Sequence, residues 1–173
     1  MPSAPPPPDA VVLVGHGGVP RDYPRDRLAR LKALEGRRRA RGEPADAEEA
    51  ALEAELRAWP RSDATDPYRA GLERLAARLQ PRLGHATLRL AYNEFCAPTL
   101  QDAVADLAAA GARAIVVLPS MLTPGGIHSE REIPETIAAL RLAHPDLDLR
   151  YVWPFDLDAV AGLLAGHALG SPS

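Results

Sequence analysis

The sequence predicts an α/β fold in which helices cover both faces of a four-stranded parallel sheet. Short runs of valine, isoleucine and leucine alternate with longer amphipathic segments, so that a strand is followed by a helix four times along the chain. The first run, residues 11–14, is apolar at every position, which is typical of a strand buried on both faces. Crossovers between parallel strands are right-handed, and the strand order that we expect is 2-1-3-4.

Each predicted element has a local signal at its ends. Asp66 followed by Pro67 combines a capping residue with proline at the first helical position, and Pro81 must end that helix. Pro98 begins a second helix, which ends at Gly111, and a long loop carrying His128 precedes the third. The predicted strands are residues 11–14, 87–92, 114–118 and 147–153, and the predicted helices are residues 66–81, 98–111, 134–143 and 157–169.

Residues 19–65 do not fit this alternation. Residues 25–41 are helical in pattern and basic, whereas residues 46–57 begin with a capping-box spacing and are mostly acidic, which predicts an inserted αα-hairpin turning at 42–44. In one interpretation the opposite charges support one another or solvate an exposed insertion. In the other, the hairpin is a lid, and Arg37, Arg38 and Arg39 hold carboxylates of a substrate.

Composition limits the classes of protein that the chain can belong to. The 173 residues, 46% of them hydrophobic, suit a single domain, which we place at residues 10–173 after a proline-rich, mobile tail at 1–9. The 20 Lys and Arg residues against 23 Asp and Glu give a net charge of -3 and no basic field for nucleic acid. No apolar stretch approaches the ~18 residues of a membrane span. The single cysteine and the absence of a signal-type segment favour a cytoplasmic protein.

Two histidines follow predicted strands in glycine-rich turns. His16 lies between Gly15 and Gly17 after the first strand, and His128 follows Gly125 and Gly126 after the third. Parallel strands bring their carboxyl ends to one rim of the sheet, where open α/β sheets bind ligands. We therefore expect both imidazoles to face one cleft at the switch point between the first and third strands.

Glu94, after the second strand, is the candidate third member of this site. Two imidazoles and a carboxylate suit a borderline divalent metal such as cobalt, iron, nickel or zinc. The other candidates receive structural interpretations: His85, His144 and His167 lie in a turn, at a helix end and on the last helix, and Cys96 is expected to pack near a strand end.

Three segments resemble the sirohydrochlorin chelatases of the CbiX/SirB type. They are Val-Gly-His-Gly-Gly at 14–18, Asn-Glu-Phe-Cys-Ala-Pro-Thr-Leu at 93–100, and the segment at 118–134 that contains Pro-Gly-Gly-Ile-His-Ser-Glu-Arg-Glu-Ile-Pro. The resemblance covers about residues 10–18 and 66–155, and the insertion at 19–65 departs from the short family pattern.

The resemblance implies a chelatase-like three-layer α/β sandwich and a lyase, a cobaltochelatase or ferrochelatase of cobalamin or siroheme biosynthesis. Its substrates would be sirohydrochlorin or a related polycarboxylate tetrapyrrole and a divalent metal, Co²⁺ or Fe²⁺ with Ni²⁺ left open, and no cofactor would be permanently bound. It also implies a homodimer. The metal-site and catalytic residues of the family fall on His16, Glu94 and His128. The groups that could bind substrate carboxylates are Gly17, Gly18, Gly125, Gly126 and Ser129.

Two other functions remain open at this level. A metal or tetrapyrrole carrier would keep the same ligands without turnover. A histidine phosphatase also uses a histidine after the first strand, but there it follows an arginine that clamps phosphate, and here Gly15 precedes His16.

Overall fold

The structure, a computed structural model, describes residues 6–170 and contains a four-stranded sheet with the order β2-β1-β3-β4. All three strand pairs are parallel. The α/β class, the strand order and the parallel sense predicted from the sequence are confirmed. The strands are β1 (Ala10–Gly15), β2 (Thr87–Tyr92), β3 (Ala114–Pro119) and β4 (Asp148–Tyr151).

Six α-helices accompany the sheet: α1 (Arg25–Arg41), α2 (Ala47–Ala58), α3 (Pro67–Leu79), α4 (Leu100–Ala109), α5 (Ile133–Ala143) and α6 (Leu157–Ala168). A 3₁₀ turn at Gln80–Arg82 extends α3, and a π-helical turn at His128–Glu132 leads into α5. Within residues 6–170, no helix is long and apolar enough to cross a bilayer.

Alternate residues of β1 face opposite layers of the domain. Val12 and Val14 belong to an apolar cluster with α4 and α5, whereas Leu13 packs with Leu72 of α3 on the other face. β1 is one of the two inner strands, and all six of its residues are buried. This burial fixes the position of the end of β1, where His16 follows.

Side-chain caps begin two of the helices that cover the sheet. The Asp66 carboxylate accepts from the Arg69 amide at the start of α3, with Pro67 in the first turn. Thr99 and Asp102 form a reciprocal capping box on α4. Because Thr99 takes the cap position, α4 begins at Leu100 and not at the predicted Pro98.

Two further boundaries differ from the prediction. The fourth strand, predicted at 147–153, covers only Asp148–Tyr151 at the edge of the sheet, and Pro154, which lacks an amide donor, follows shortly after. His128 was predicted in a long loop, but it begins a π-helical turn that is continuous with α5. Pro134 lies in the first turn of α5, directly after the π-helical turn.

The predicted hairpin is present as α1 and α2, and opposite charges meet across it. Arg30 pairs with Glu48 at 2.6 Å and Arg38 with the buried Glu49 at 2.7 Å. An apolar cluster around Leu31 and Leu56 also joins the hairpin to Phe95, which follows β2. The insertion is therefore packed against the rim of the sheet.

The start of the chain was predicted to be a mobile tail at 1–9, of which residues 1–5 lie outside the described residues. At the other end of that segment, the Asp9 carboxylate accepts from the amides of Arg113 and Ala114 at 2.8 and 2.9 Å. Its backbone also bonds to Ala114 and Thr87. Asp9 thus joins β1 to the beginnings of both neighbouring strands.

Candidate functional site

His16, Glu94 and His128 meet at the rim formed by the carboxyl ends of β1, β2 and β3. Each offers one ligand atom, and the three atoms lie within 4.8 Å of one another. The His16 Nε2 atom is 3.9 Å from a carboxylate oxygen of Glu94. The two imidazole rings are nearly perpendicular, with centroids 4.6 Å apart. Three segments distant in sequence therefore converge on one point, as expected from the shared rim of parallel strands.

The surroundings of His16 select its tautomer. Its Nδ1 lies 2.8 Å from the carbonyl oxygen of Gly17, and a carbonyl can only accept, so the proton is on Nδ1. The lone pair is then on Nε2, the atom that faces Glu94. The His16 amide donates to the Tyr68 hydroxyl at 2.8 Å, which attaches the turn to α3. The His16 side chain is 41% exposed, so a solution ion can reach it.

His128 is oriented by a carboxylate one helical turn further on. Its Nδ1 is 2.6 Å from Glu132, and the Asn93 amide nitrogen donates to the same carboxylate oxygen at 2.8 Å while lying 2.8 Å from Nδ1. A carboxylate on Nδ1 leaves the Nε2 lone pair for a metal, as carboxylate–histidine–metal arrays do.

The ionised form of Glu132 is favoured. Burial alone would raise the pKa of Glu132, but hydrogen bonds from His128 and Asn93, with the charges of His128 and Arg39, hold the pKa below its usual value. An ionised carboxylate at this position keeps the proton of His128 on Nδ1.

The π-helical turn that carries His128 is anchored from β4. The Tyr151 hydroxyl donates to the Ser129 carbonyl at 2.9 Å, and burial raises the pKa of Tyr151 to about 12. Ser129 itself is only 1% exposed. Its contact with a substrate carboxylate stays a prediction.

The four glycines predicted to bind substrate carboxylates differ in accessibility. Gly17 is buried and left-handed at φ +94, and the carbonyl of Gly18 accepts from Arg61. Gly125 and Gly126 are exposed, and the Gly125 amide donates to Glu130 at 3.1 Å. Their role toward a substrate stays a prediction.

The other histidines and the cysteine lie away from this cluster. His85 is in an exposed turn, His144 follows α5 and His167 is in the last turn of α6. Cys96 is 1% exposed, and burial raises the pKa of its thiol. An inert packing role fits these properties.

Three residues that shape the site, Glu132, Asn93 and Arg61, were not predicted from the sequence. The four-residue spacing between His128 and Glu132 was a usable signal, since residues four apart on a helix are neighbours. Arg61 has no comparable local signal. Its buried guanidinium donates to Asp66 and to the carbonyls of Gly18, Leu56 and Phe95, which tie the insertion to the rim.

A cleft, here called the hairpin cleft, lies between the inserted helices and the rim. It adjoins the site through Glu94 and Glu132. Its wall includes Arg38, Arg39 and Arg57 from the hairpin and Asn93, Glu94 and Glu132 from the rim. Two imidazole nitrogens and a carboxylate, partly open to solvent and beside a polar cleft, can take up a borderline divalent ion and release it again.

The chain is similar to known proteins over most of its length. The family model CbiX matches residues 64–164, which include Glu94 and His128. A sirohydrochlorin cobaltochelatase from Methanopyrus kandleri is 35% identical over 72 residues, covering 41% of this chain and 50% of that protein. The chain therefore spans about half the length of the curated relative that it matches.

Solved structures share the fold. A CbiX protein from Marinobacter aquaeolei VT8 superposes with a TM-score of 0.55 at 17% identity, covering 93% of this chain and 91% of that chain. SirB from Bacillus subtilis with Fe³⁺ gives a TM-score of 0.52 at 20% identity, covering 94% of this chain and 48% of that one. The fold is thus that of the chelatase structures, and the chain belongs to the CbiX family.

Proposed function

We propose that the protein is a chelatase that inserts Co²⁺ or Fe²⁺ into sirohydrochlorin or a related polycarboxylate tetrapyrrole. The observation that carries the proposal is the convergence of His16, Glu94 and His128, with ligand atoms within 4.8 Å, at the ligand-binding rim of a CbiX-family fold. The name of the Methanopyrus kandleri relative, a sirohydrochlorin cobaltochelatase, supports the choice of reaction and macrocycle.

The three side chains divide the work of metal delivery. The free Nε2 atoms of His16 and His128 replace part of the hydration shell of the ion, and Glu94 supplies a compensating negative charge. Ligands from three separate loops leave the remaining coordination positions open. The macrocycle nitrogens enter there, and the ion passes from protein to macrocycle.

Charge balance gives the same residues a second task. A divalent ion replaces two pyrrole protons, so each turnover yields the metallated macrocycle and two protons. Imidazole has an ordinary pKa of about 6.5 and accepts such protons near neutral pH. The imidazoles lose the metal as the macrocycle gains it, and each then has its Nε2 lone pair free for a proton. Glu94, 27% exposed, relays protons to solvent.

The wider context is proposed on the same basis. The reaction would serve cobalamin or siroheme biosynthesis in the cytoplasm, with the metal as a substrate and not as a resident cofactor. The division into a tail at 1–9 and one domain at 10–173, with 19–65 inserted, stays a prediction.

We also propose that the chain works as a homodimer. It spans 48% of the SirB chain, so a second copy would supply the other half of a two-lobed cleft. The helix α6 offers a surface for this contact, because none of its residues is buried and its leucines are more than half exposed. The three leucines are Leu157, Leu163 and Leu164, which are 55%, 55% and 59% exposed.

Sedimentation in the analytical ultracentrifuge tests the dimer. The wild type should sediment as a dimer and Leu163→Glu as a monomer, and a wild type that sediments as a monomer would contradict the proposal.

The test of the proposed function is metal insertion by catalytic amounts of protein. Purified protein at about one hundredth of the concentration of sirohydrochlorin is mixed with Co²⁺, Fe²⁺ or Ni²⁺ in turn, and the absorption spectrum of the macrocycle is followed against a protein-free control. Conversion of many equivalents above the control supports a chelatase. Conversion limited to one equivalent per protein indicates a carrier, and conversion at the control rate with every ion rejects both.

A further inference from the structure

The hairpin cleft contains one charged side chain without a partner. Arg38 is bound to Glu49, Arg57 to Glu53, and Glu35 to Lys32. On the rim, Glu132 accepts from His128 and Asn93, and Glu94 faces His16. Arg39, at the end of α1, forms no ion pair or hydrogen bond with any residue of 6–170 in this structure, although it lines the same cleft.

The position of Arg39 links the insertion to the metal ligands. Arg39 and Glu132, the residue that orients His128, line the same cleft, and the charge of Arg39 contributes to the lowered pKa of Glu132. Glu132 is already engaged by two donors. A guanidinium presents a planar fork of donors that fits a carboxylate with two parallel hydrogen bonds.

The hairpin is held firmly enough to present this side chain. Leu31 of α1 and Leu56 of α2 are at most 1% exposed and pack with Phe95 on the rim. The Lys32 ammonium lies 4.5 Å from the centre of the Phe95 ring. The buried Arg61 ties the end of the insertion to the same segment. A binding group carried on this scaffold therefore has a defined place relative to Glu94.

From these observations we infer that the insertion at 19–65 is a substrate-binding wall and that Arg39 binds a peripheral carboxylate of the macrocycle. The inference rests on the proposed function. The macrocycle lies over the imidazoles, and one of its carboxylate arms enters the hairpin cleft. Arg39 is then a specificity-determining residue, which selects polycarboxylate macrocycles and does not take part in the transfer of metal or protons.

Of the two sequence interpretations of the hairpin, the structure supports part of each. Arg38 forms an ion pair with Glu49 inside the hairpin, which agrees with the interpretation that opposite charges of the two helices support one another. Arg37 is also an exposed arginine of α1, but it lines a different cavity, between Leu34 and Pro44. It is therefore a matched control for Arg39. Only Arg39 keeps the role that the lid interpretation gave to three arginines.

The test compares Arg39→Ala, Arg39→Lys and Arg37→Ala in the full chain. Binding of metal-free sirohydrochlorin is titrated by absorbance at several salt concentrations, and KM and kcat are measured for cobalt insertion. We expect Arg39→Ala to raise Kd and KM about tenfold with little change in kcat, and to reduce the salt dependence of Kd. Arg39→Lys should recover part of the loss, and Arg37→Ala should match the wild type.

Two results overturn the inference while leaving the proposed function intact. In one, the wild type inserts cobalt and Arg39→Ala has the same Kd, KM and salt dependence as the wild type. In the other, Arg37→Ala weakens binding as much as Arg39→Ala. This would indicate that the overall positive charge of α1, and not a specific contact of Arg39, attracts the macrocycle. A wild type that neither binds nor metallates sirohydrochlorin would overturn the proposed function itself, and this inference with it.

Discussion

The backbone amide of Glu94 donates a 2.8 Å hydrogen bond to the carbonyl of His16, so two of the candidate metal ligands are joined through the main chain. The amide of Asn93 makes the equivalent bond to Gly15 at 2.9 Å. These two bonds join the turns that follow β1 and β2, directly after the last paired residues, Gly15 and Tyr92. The backbones of His16 and Glu94 are consequently held together by a main-chain hydrogen bond.

Gly17 makes this approach possible. It has a φ of +94, and a Cβ built on it would collide with the carbonyl oxygen of Glu94. We expect Gly17→Ala to push the two ligands apart, lowering stability by about 1–3 kcal/mol and weakening Co²⁺ binding. Urea unfolding and a cobalt titration measure the two effects. Gly18→Ala is the control, since its added methyl would meet ordinary contacts of 3.6 and 3.7 Å. Equal behaviour of the two variants would refute the role of Gly17.

Glu132 is expected to act on the metal through His128. Glu132→Gln keeps the shape but removes the anion on Nδ1, so we expect Co²⁺ affinity to fall about 10–100-fold with the melting temperature nearly unchanged. The control is Glu135→Gln, whose carboxylate is 67% exposed in a surface pair with Arg131. Isothermal titration with Co²⁺ measures the affinity. Wild-type affinity in Glu132→Gln would show that the orientation of His128 does not depend on this carboxylate.

Arg61 and Asp66 form a buried ion pair, with side chains 1% and 2% exposed. Removing one partner leaves the other charge buried, so Asp66→Asn should cost about 3–5 kcal/mol of unfolding free energy. Arg61→Lys should also be destabilising, because an ammonium cannot reproduce the fork of bonds to Gly18, Leu56 and Phe95.

A nearby exposed pair provides the comparison. Arg74 and Asp63 are 3.6 Å apart with side chains 68% and 83% exposed, and Arg74→Ala should change stability by no more than about 0.5 kcal/mol. Urea unfolding curves of the three variants measure the difference. A loss in Asp66→Asn no larger than in Arg74→Ala would contradict the stabilising role of the buried pair.

Asp9 should make stability depend on pH on the acid side. Hydrogen bonds from the amides of Arg113 and Ala114, and the charge of His85, hold the pKa of Asp9 below its ordinary value of 3.8. A group with a lowered pKa in the folded state stabilises the protein above its unfolded pKa, and this stabilisation disappears as pH falls through the folded pKa. The advantage of the wild type over Asp9→Asn should therefore be constant above about pH 5 and shrink below pH 3.8.

Urea midpoints between about pH 6 and pH 2.5 measure this difference. Asp22→Asn is the control, because Asp22 is exposed and its carboxylate has no hydrogen bond within residues 6–170. A gap between wild type and Asp9→Asn that stays constant down to the lowest pH would contradict the effect.

The features predicted correctly from the sequence are those with local causes. The apolar run of β1 and the capping residue Asp66 depend on neighbours in the chain, and the strand order is that of a common doubly wound parallel sheet. The convergence of His16 and His128 could be predicted for the same reason, since parallel strands bring their ends together.

The features missed depend on contacts between distant segments. Arg61 donates hydrogen bonds to carbonyls that lie 43, 5 and 34 positions away in the sequence. No local sequence pattern predicts these bonds. Ser129, next to His128 in the sequence, lies in a π-helical turn that was not predicted, and it is only 1% exposed. The turn itself could not be foreseen, since its anchor is the Tyr151 hydroxyl on another strand.

The most direct test is the initial rate of cobalt insertion into sirohydrochlorin by His16→Ala and His128→Ala. The rate is corrected for the protein-free rate, and it shows whether these two imidazoles are needed for metal insertion. Both variants should retain the wild-type melting temperature and lose at least about 100-fold in rate, whereas His85→Ala, altered in an exposed turn, should keep the wild-type rate. Wild-type rates in both folded site variants would contradict the proposed metal site.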